Sequence, residues 1–258
     1  MAEPETEGTD ISLRAAEVAS DVSETDKPQE QRRLASRFTR AVTSGARAAG
    51  RGTRAVRRRA GGGAGWLADQ VVAMAPRLRV RDRTALTAQF PGKSPDEIAD
   101  ALIEGAARAA AAAGGAAGMA AALPVLPAVP VEIAAETLLL VGIELKLVAE
   151  LHEAYGSPAP GKFTERMSAY VAAWAHRRGV FMIEGGLIFA AGSPLARLLR
   201  RRLVGRASRS AFSLGPMLTG AAAGALFNRR ETRKLGREIQ RDLRRHAVES
   251  PRGPWWHL

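Results

Sequence analysis

Apolar residues recur along this chain at helical spacing, and from Ala109 to Val131 they merge into twenty-three residues without a charge. Such a run has to be buried, in a protein core or in a lipid bilayer. Just ahead of it, Ser94-Pro95-Asp96-Glu97 reads as a helix start: serine as N-cap, proline at the first helical position, Glu97 placed to complete a capping box. The pattern predicts a helix from about Pro95 through the alanine tract. Pro124, Pro127 and Pro130 then bar helix across 123–130, because proline lacks the amide hydrogen and disfavours helical geometry in the residue before it. Another helix is predicted from about Val131 to Tyr155, closed by Gly156 and Pro158, and another over Phe163–Arg177. Two further glycine-rich apolar stretches, Gly179–Ala196 and Ser210–Asn228, precede a basic helix predicted over Arg229–His246.

Nearer the N-terminus the pattern is weaker. The first thirty residues are acidic and hold few large apolar side chains, so they are expected to be disordered, since too little surface can be buried to offset the entropy of ordering; the alternative is a short amphipathic helix around Ile11–Val22. From Arg32 onward, Leu34, Phe38 and Val42 recur every four residues among Arg32, Arg33, Arg37, Arg40 and Arg47, the pattern of a cationic amphipathic helix. Gly45, Gly50 and Gly52 weaken it, and Arg57-Arg58-Arg59 before Gly61-Gly62-Gly63 reads as a linker. Trp66–Ala75 reads as a short apolar helix closed by Pro76, residues 78–82 as a connector and Pro91-Gly92 as a turn.

Composition sharpens the class. Only 5% of the residues are aromatic, alanine dominates the apolar ones, and alanine is the best helix former. The expected fold is all-α, a glycine/alanine-rich helical bundle in which the apolar tracts can form membrane-embedded helical hairpins. Gly114 and Gly118, and again Gly220 and Gly224, form small-xxx-small pairs that let helices pack closely in lipid or in a tight bundle. Each apolar tract is marginal as a span, and arginines at both ends of Ser210–Asn228 argue against a simple crossing. The absence of cysteine removes disulfides and thiolate metal sites. The acidic opening does not look like a secretory leader, which points to a cytoplasmic address.

The net charge of +12 is unevenly placed. Residues 1–31 carry two basic and nine acidic groups, residues 32–59 ten arginines and no acid, and residues 177–258 seventeen basic against five acidic groups. Arginines without interleaved aromatics can hold phosphate but read no base. On the Val131–Tyr155 helix, Glu132, Glu136, Glu150 and Glu153 share a third of the circumference with Lys146, opposite Leu138, Val141, Leu145 and Val148. That stripe is either a carboxylate site for metal or proton chemistry or, more simply, a hydrated face or a set of arginine pairs. His152 follows Glu150 by two residues, not the three of a di-metal bundle, and there is no phosphate loop or nucleophile elbow. No catalytic, cofactor-binding or metal-ligating residue is therefore assigned.

Several segments follow one another in a recognisable order: Arg81-Asp82, Phe90-Pro91-Gly92, Ile98-Ala99-Asp100-Ala101-Leu102, the alanine/glycine tract, Leu123-Pro124, the acidic leucine helix, Tyr155-Gly156 and Asn228-Arg229-Arg230-Glu231-Thr232-Arg233-Lys234-Leu235-Gly236. Over roughly residues 78–245 the chain resembles the EcsC protein family of helical bacterial proteins, named for the third gene of an ABC-transporter operon. The resemblance implies a membrane-associated helical protein and supplies no catalytic residues.

These readings divide the chain into an acidic disordered tail (1–31), a basic amphipathic segment with a glycine-rich linker (32–65), an EcsC-like helical domain (66–247) and a tail (248–258) carrying Trp255-Trp256. The leading expectation is a non-enzymatic protein at the cytoplasmic face of a bacterial membrane, peripheral or partly inserted, serving a transporter or envelope process beside a membrane-protein partner. Arg32, Arg33, Arg37, Arg40, Arg57, Arg58, Arg59, Arg229, Arg230, Arg233 and Arg237 would contact anionic lipid, with Gly114, Gly118, Gly220 and Gly224 packing helices. The alternatives are a nucleic-acid-associated protein using the arginines of 32–59, and a hydrolase or lipid-modifying enzyme with its carboxylates on the 131–155 helix. An acidic tail folded back on the adjacent arginines would be autoinhibitory.

Overall fold

The computed structural model describes residues 5–49, 63–120, 129–183, 186–189 and 215–249, and the side-chain surroundings of 11–42, 67–114, 134–179 and most of 222–246. The described chain forms helices α1 (Glu5–Glu24), α2 (Pro28–Ala49), α3 (Gly63–Met74, with a 3-10 turn at Ala75–Arg77), α4 (Arg83–Gln89), α5 (Pro95–Ala120), α6 (Val129–Ala154), α7 (Phe163–Arg178) and α8 (Gly215–Glu249). Between α7 and α8 lies one antiparallel strand pair, β1 (Val180–Ile183) and β2 (Gly186–Phe189), with Val180 opposite Phe189 and Ile183 opposite Gly186.

Helix α6 has no solvated side, and Ala135 to Leu151 are buried without a break. A helix buried all round lies in the middle of a bundle, and α1, α2, α3, α5, α7 and α8 all pack against this one. Its end is fixed by Gly156, whose φ of +65° suits glycine, while the Ser157 amide reaches back to the His152 carbonyl at 2.9 Å. Helix α5 starts as its capping box requires: the Ser94 hydroxyl accepts from the Glu97 amide at 3.3 Å, and Glu97 accepts from the Ser94 amide at 2.8 Å. Small residues set the distances between helices. A Cβ on Gly142 would lie 2.7 Å from Ala19 of α1, and one on Gly236 would lie 2.7 Å from Ile103 of α5.

Four expectations change. Residues 5–24 are helical, and Ala15, Ala16, Ala19 and Val22 are buried in the core. Large apolar side chains are unnecessary there, because alanines can pack closely against Gly142 and its neighbours. The basic segment is not a separate arm as far as Ala49: α2 buries Ala35, Phe38 and Val42 in the same core. The basic C-terminal helix is longer than expected, running unbroken from the apolar tract at Gly215 to Glu249. Finally, among the described residues the regular elements are helical except for β1 and β2, which are rich in β-branched and aromatic residues and follow the left-handed Gly179 (φ +62°) that ends α7. No helix among the described residues is long and apolar enough to cross a membrane, so embedded hairpins find no support.

Candidate functional site

Charge inside the bundle is concentrated on two sides of α6. Lys146 and Glu150 form one centre. The Lys146 side chain is completely buried; its ammonium lies 2.7 Å from Glu150 and 3.1 Å from Glu24 and also donates to the Arg79 carbonyl. Arg81, from the short segment before α4, grips Glu150 through Nε at 2.8 Å, Nη2 at 2.6 Å and its own amide at 3.1 Å. Burial alone would raise the Glu150 pKa, but the hydrogen bonds and charges of Arg81 and Lys146 outweigh it and hold the carboxylate ionised, below its ordinary value.

Glu144, about 120° further round α6, forms the second centre. Its Oε2 accepts from Arg178 Nε at 2.9 Å and from Trp174 Nε1 at 2.8 Å. Its Oε1 accepts from Thr232 at 2.8 Å and from Arg178 Nη2. One buried carboxylate thus ties α6 to α7 and α8.

A cleft of about 280 Å³ opens beside the first centre, lined among others by Glu24, Asp26, Arg81, Arg108, Lys146 and Glu150. These groups neutralise one another, since Arg108 also pairs with Asp26 at 2.9 Å. Glu150 is held as an anion by fixed cations, which suits structural clamping better than proton transfer. His152, whose pKa is pushed down by burial, bonds the Val148 carbonyl through Nδ1 at 2.8 Å and packs on Tyr170. Among the described residues no three histidines and carboxylates cluster as a metal site.

A third set of charges lines the α5–α8 seam. Asp96 meets Arg244 at 2.6 Å and accepts from Tyr155; Asp100 takes Arg237 and Gln240; Glu104 takes Arg233 at 2.6 Å and Arg229 at 3.8 Å. The same seam continues into close backbone approach, with Asn228 donating to the Ala110 carbonyl and a Gly114 Cβ predicted only 3.1 Å from the Gly224 oxygen.

The expected site residues therefore separate. Arg229, Arg233 and Arg237 are engaged with α5 carboxylates, while Arg230 is exposed. Arg32, Arg33, Arg37 and Arg40 lie exposed on α2, within about 140° of its circumference and opposite the buried Ala35, Phe38 and Val42. Arg57, Arg58 and Arg59 lie outside the described residues. Gly114 and Gly224 face each other across the seam; Gly118 and Gly220 lie further along the same two helices, with surroundings outside the described side chains.

No family model, curated protein or solved structure matches this chain. The likeness to the EcsC family thus rests on the motifs alone.

Of the carboxylate stripe, Glu150 and Glu153 make the arginine pairs, with Arg81 at 2.6 Å and Arg166 at 2.9 Å; Glu136 is buried, not hydrated, and Glu132 lies outside the described side chains. Glu144 escaped sequence reasoning because it stands off that stripe, beside leucines. Its partner Arg178 lies one residue past the helix expected over Phe163–Arg177. A fold-back of the acidic segment onto the neighbouring arginines is left open by the sequence. Asp21, Glu24 and Asp26 pair instead with Arg79, Lys146 and Arg108.

Proposed function

We propose that this chain is a non-enzymatic helical protein that associates with an anionic membrane surface, with a role accessory to a transporter or envelope process. The observation that carries the reading is the geometry of α2. Its apolar stripe is committed to the core, so Arg32, Arg33, Arg37 and Arg40 project from a rigid support with no need for the helix to insert. Three acids that lie close in sequence are taken up elsewhere in the bundle, which leaves this face strongly cationic. Basic residues close to an anionic leaflet act almost additively and weaken as salt shortens the Debye length.

The test is co-sedimentation of the full chain with vesicles of about 30% anionic lipid. Binding at about 50 mM salt that falls steeply by about 500 mM is expected. Replacing the four arginines by glutamine should weaken low-salt binding by at least about tenfold, with the arginines of 51–59 supplying the remainder. Vesicle binding unchanged by salt and by those substitutions refutes this face. Retention on duplex DNA with no vesicle binding would replace the membrane reading by the nucleic-acid one.

A further inference from the structure

Gly105 stands in the interior of α5, where glycine weakens a helix and the sequence that follows supplies alanine repeatedly. Close packing does not require it, since a Cβ built there would meet nothing within 4 Å. Gly114, Gly142 and Gly236 differ, because at each of them a Cβ would fall 2.7 Å from a neighbouring side chain. The space beside Gly105 belongs to the cleft of about 280 Å³ described above. That is room for about nine waters, close to the lower end of small-ligand pockets.

Helical spacing sets Leu102, Gly105 and Arg108 in one row along α5, an apolar wall followed by a gap and a cation. Phe90 and, from α6, Ile143 and Leu147 extend the apolar lining. The cations of the cleft are not equivalent. Arg81 and Lys146 are both fixed on Glu150, which is buried with them. Arg108 pairs with Asp26, whose side chain is 87% exposed. An ion pair open to solvent contributes little, so this anion is readily exchanged. It also leaves the guanidinium half used. Asp26 takes Nη2 at 2.9 Å, while Arg108 Nε is buried without an acceptor; a carboxylate that engages both nitrogens binds better. Glu104, the acid next to Gly105, is held by Arg233.

We infer that the cleft binds a small organic monocarboxylate, with its apolar body in the space beside Gly105 and its carboxylate on Arg108 in place of Asp26. One negative charge then replaces another, and the balance with Glu24 and Glu150 is kept. A phosphate dianion would instead add a charge beside those two carboxylates. Glu24 retains Lys146 throughout, so the buried Lys146–Glu150–Arg81 centre is undisturbed. This site does not depend on the membrane reading above.

The probes are para-(trifluoromethyl)benzoate and omega-trifluoroheptanoate, each with its amide as the uncharged control, titrated against the full chain by fluorine NMR. At about a dozen non-hydrogen atoms, at least one carboxylate should bind with a Kd of about 1 mM or tighter, and its amide at least about tenfold more weakly. Arg108→Gln should weaken carboxylate binding at least about tenfold, whereas Asp26→Asn removes the competing anion and should tighten it about threefold. Opposite signs for the two halves of one ion pair are what a ligand site gives and a structural salt bridge does not. Gly105→Leu fills the space and should abolish binding; circular dichroism checks that it folds, and Arg108→Gln carries the test if it does not. Failure of both carboxylates to bind the wild type and Asp26→Asn with a Kd under about 10 mM overturns the site. So does binding that folded Arg108→Gln or Gly105→Leu retains in full, which would place the probe elsewhere, as on the α2 arginines.

Discussion

The Glu144 centre allows a stability prediction whose size follows from its contacts. In Glu144→Gln the side chain keeps its shape, but the charge is lost and one acceptor becomes a donor facing Arg178, Trp174 or Thr232. Arg178, with 7% of its side chain exposed, then retains only Glu231 at 3.6 Å. Removing one partner of a buried ion pair costs about 3–5 kcal/mol, because the other charge stays desolvated. For a chain of this size about 1 kcal/mol moves Tm by about 2–4 °C, so the expected fall is about 6–20 °C. The companion Glu144→Leu with Arg178→Met removes both charges and should recover most of the loss, leaving about 1–3 kcal/mol for the donors of Thr232 and Trp174. Urea and thermal unfolding, followed by circular dichroism and by tryptophan fluorescence, give both numbers. A cost below about 1 kcal/mol for Glu144→Gln, or a double variant as unstable as the single one, would show that no uncompensated buried charge is created.

Other expectations are simpler. Gly105 has open space where a Cβ would go, so Gly105→Ala should raise Tm by about 2–4 °C through helix propensity alone. Gly114→Ala should lower Tm, since its Cβ would fall 2.7 Å from Asn228 and 3.1 Å from the Gly224 carbonyl; equal shifts in the two variants would refute the close approach of α5 and α8. Asp96, Asp100 and Glu104 are all held below their ordinary pKa values, Asp96 by Arg244 and Tyr155, Asp100 by Gln240 and Arg237, and Glu104 by Arg233. Their stabilisation is therefore complete above the unfolded-state values near 4 and is lost as pH falls through the lower folded values. The urea midpoint should soften below about pH 6.5, where buried His152 resists protonation, and drop more steeply between about pH 5 and 3; a midpoint no lower at pH 3 than at pH 5 would mean that the α5–α8 pairs contribute nothing.

Local chemistry made much of this fold legible. The capping box at Ser94, the glycine stop at Gly156 and the four-residue recurrence of Leu34, Phe38 and Val42 each describe a contact made within a few residues, and each is where the pattern puts it. What stayed hidden depends on partners distant in sequence. Burial of Ala19 requires the gap left by Gly142, more than a hundred residues away. Arg233 and Arg237 look like lipid ligands until α5 presents Glu104 and Asp100. Glu144 is similar: periodicity identifies one polar stripe on a helix, whereas a central helix can hold separate charges against different neighbours.

The antiparallel seam between α5 and α8 also dictates a schedule for synthesis. Ala110 and Asn228 are 118 residues apart, so at about 5–20 residues per second the ribosome needs roughly 6–24 s to supply the second helix after the first. Throughout that interval α5 has emerged with its alanine-rich flank bare and its acids without their arginines, while Glu144 lacks Thr232. The nascent chain spends this time as an incomplete bundle, the form in which a holdase chaperone would find the most to bind and in which slowed elongation would cost the most yield.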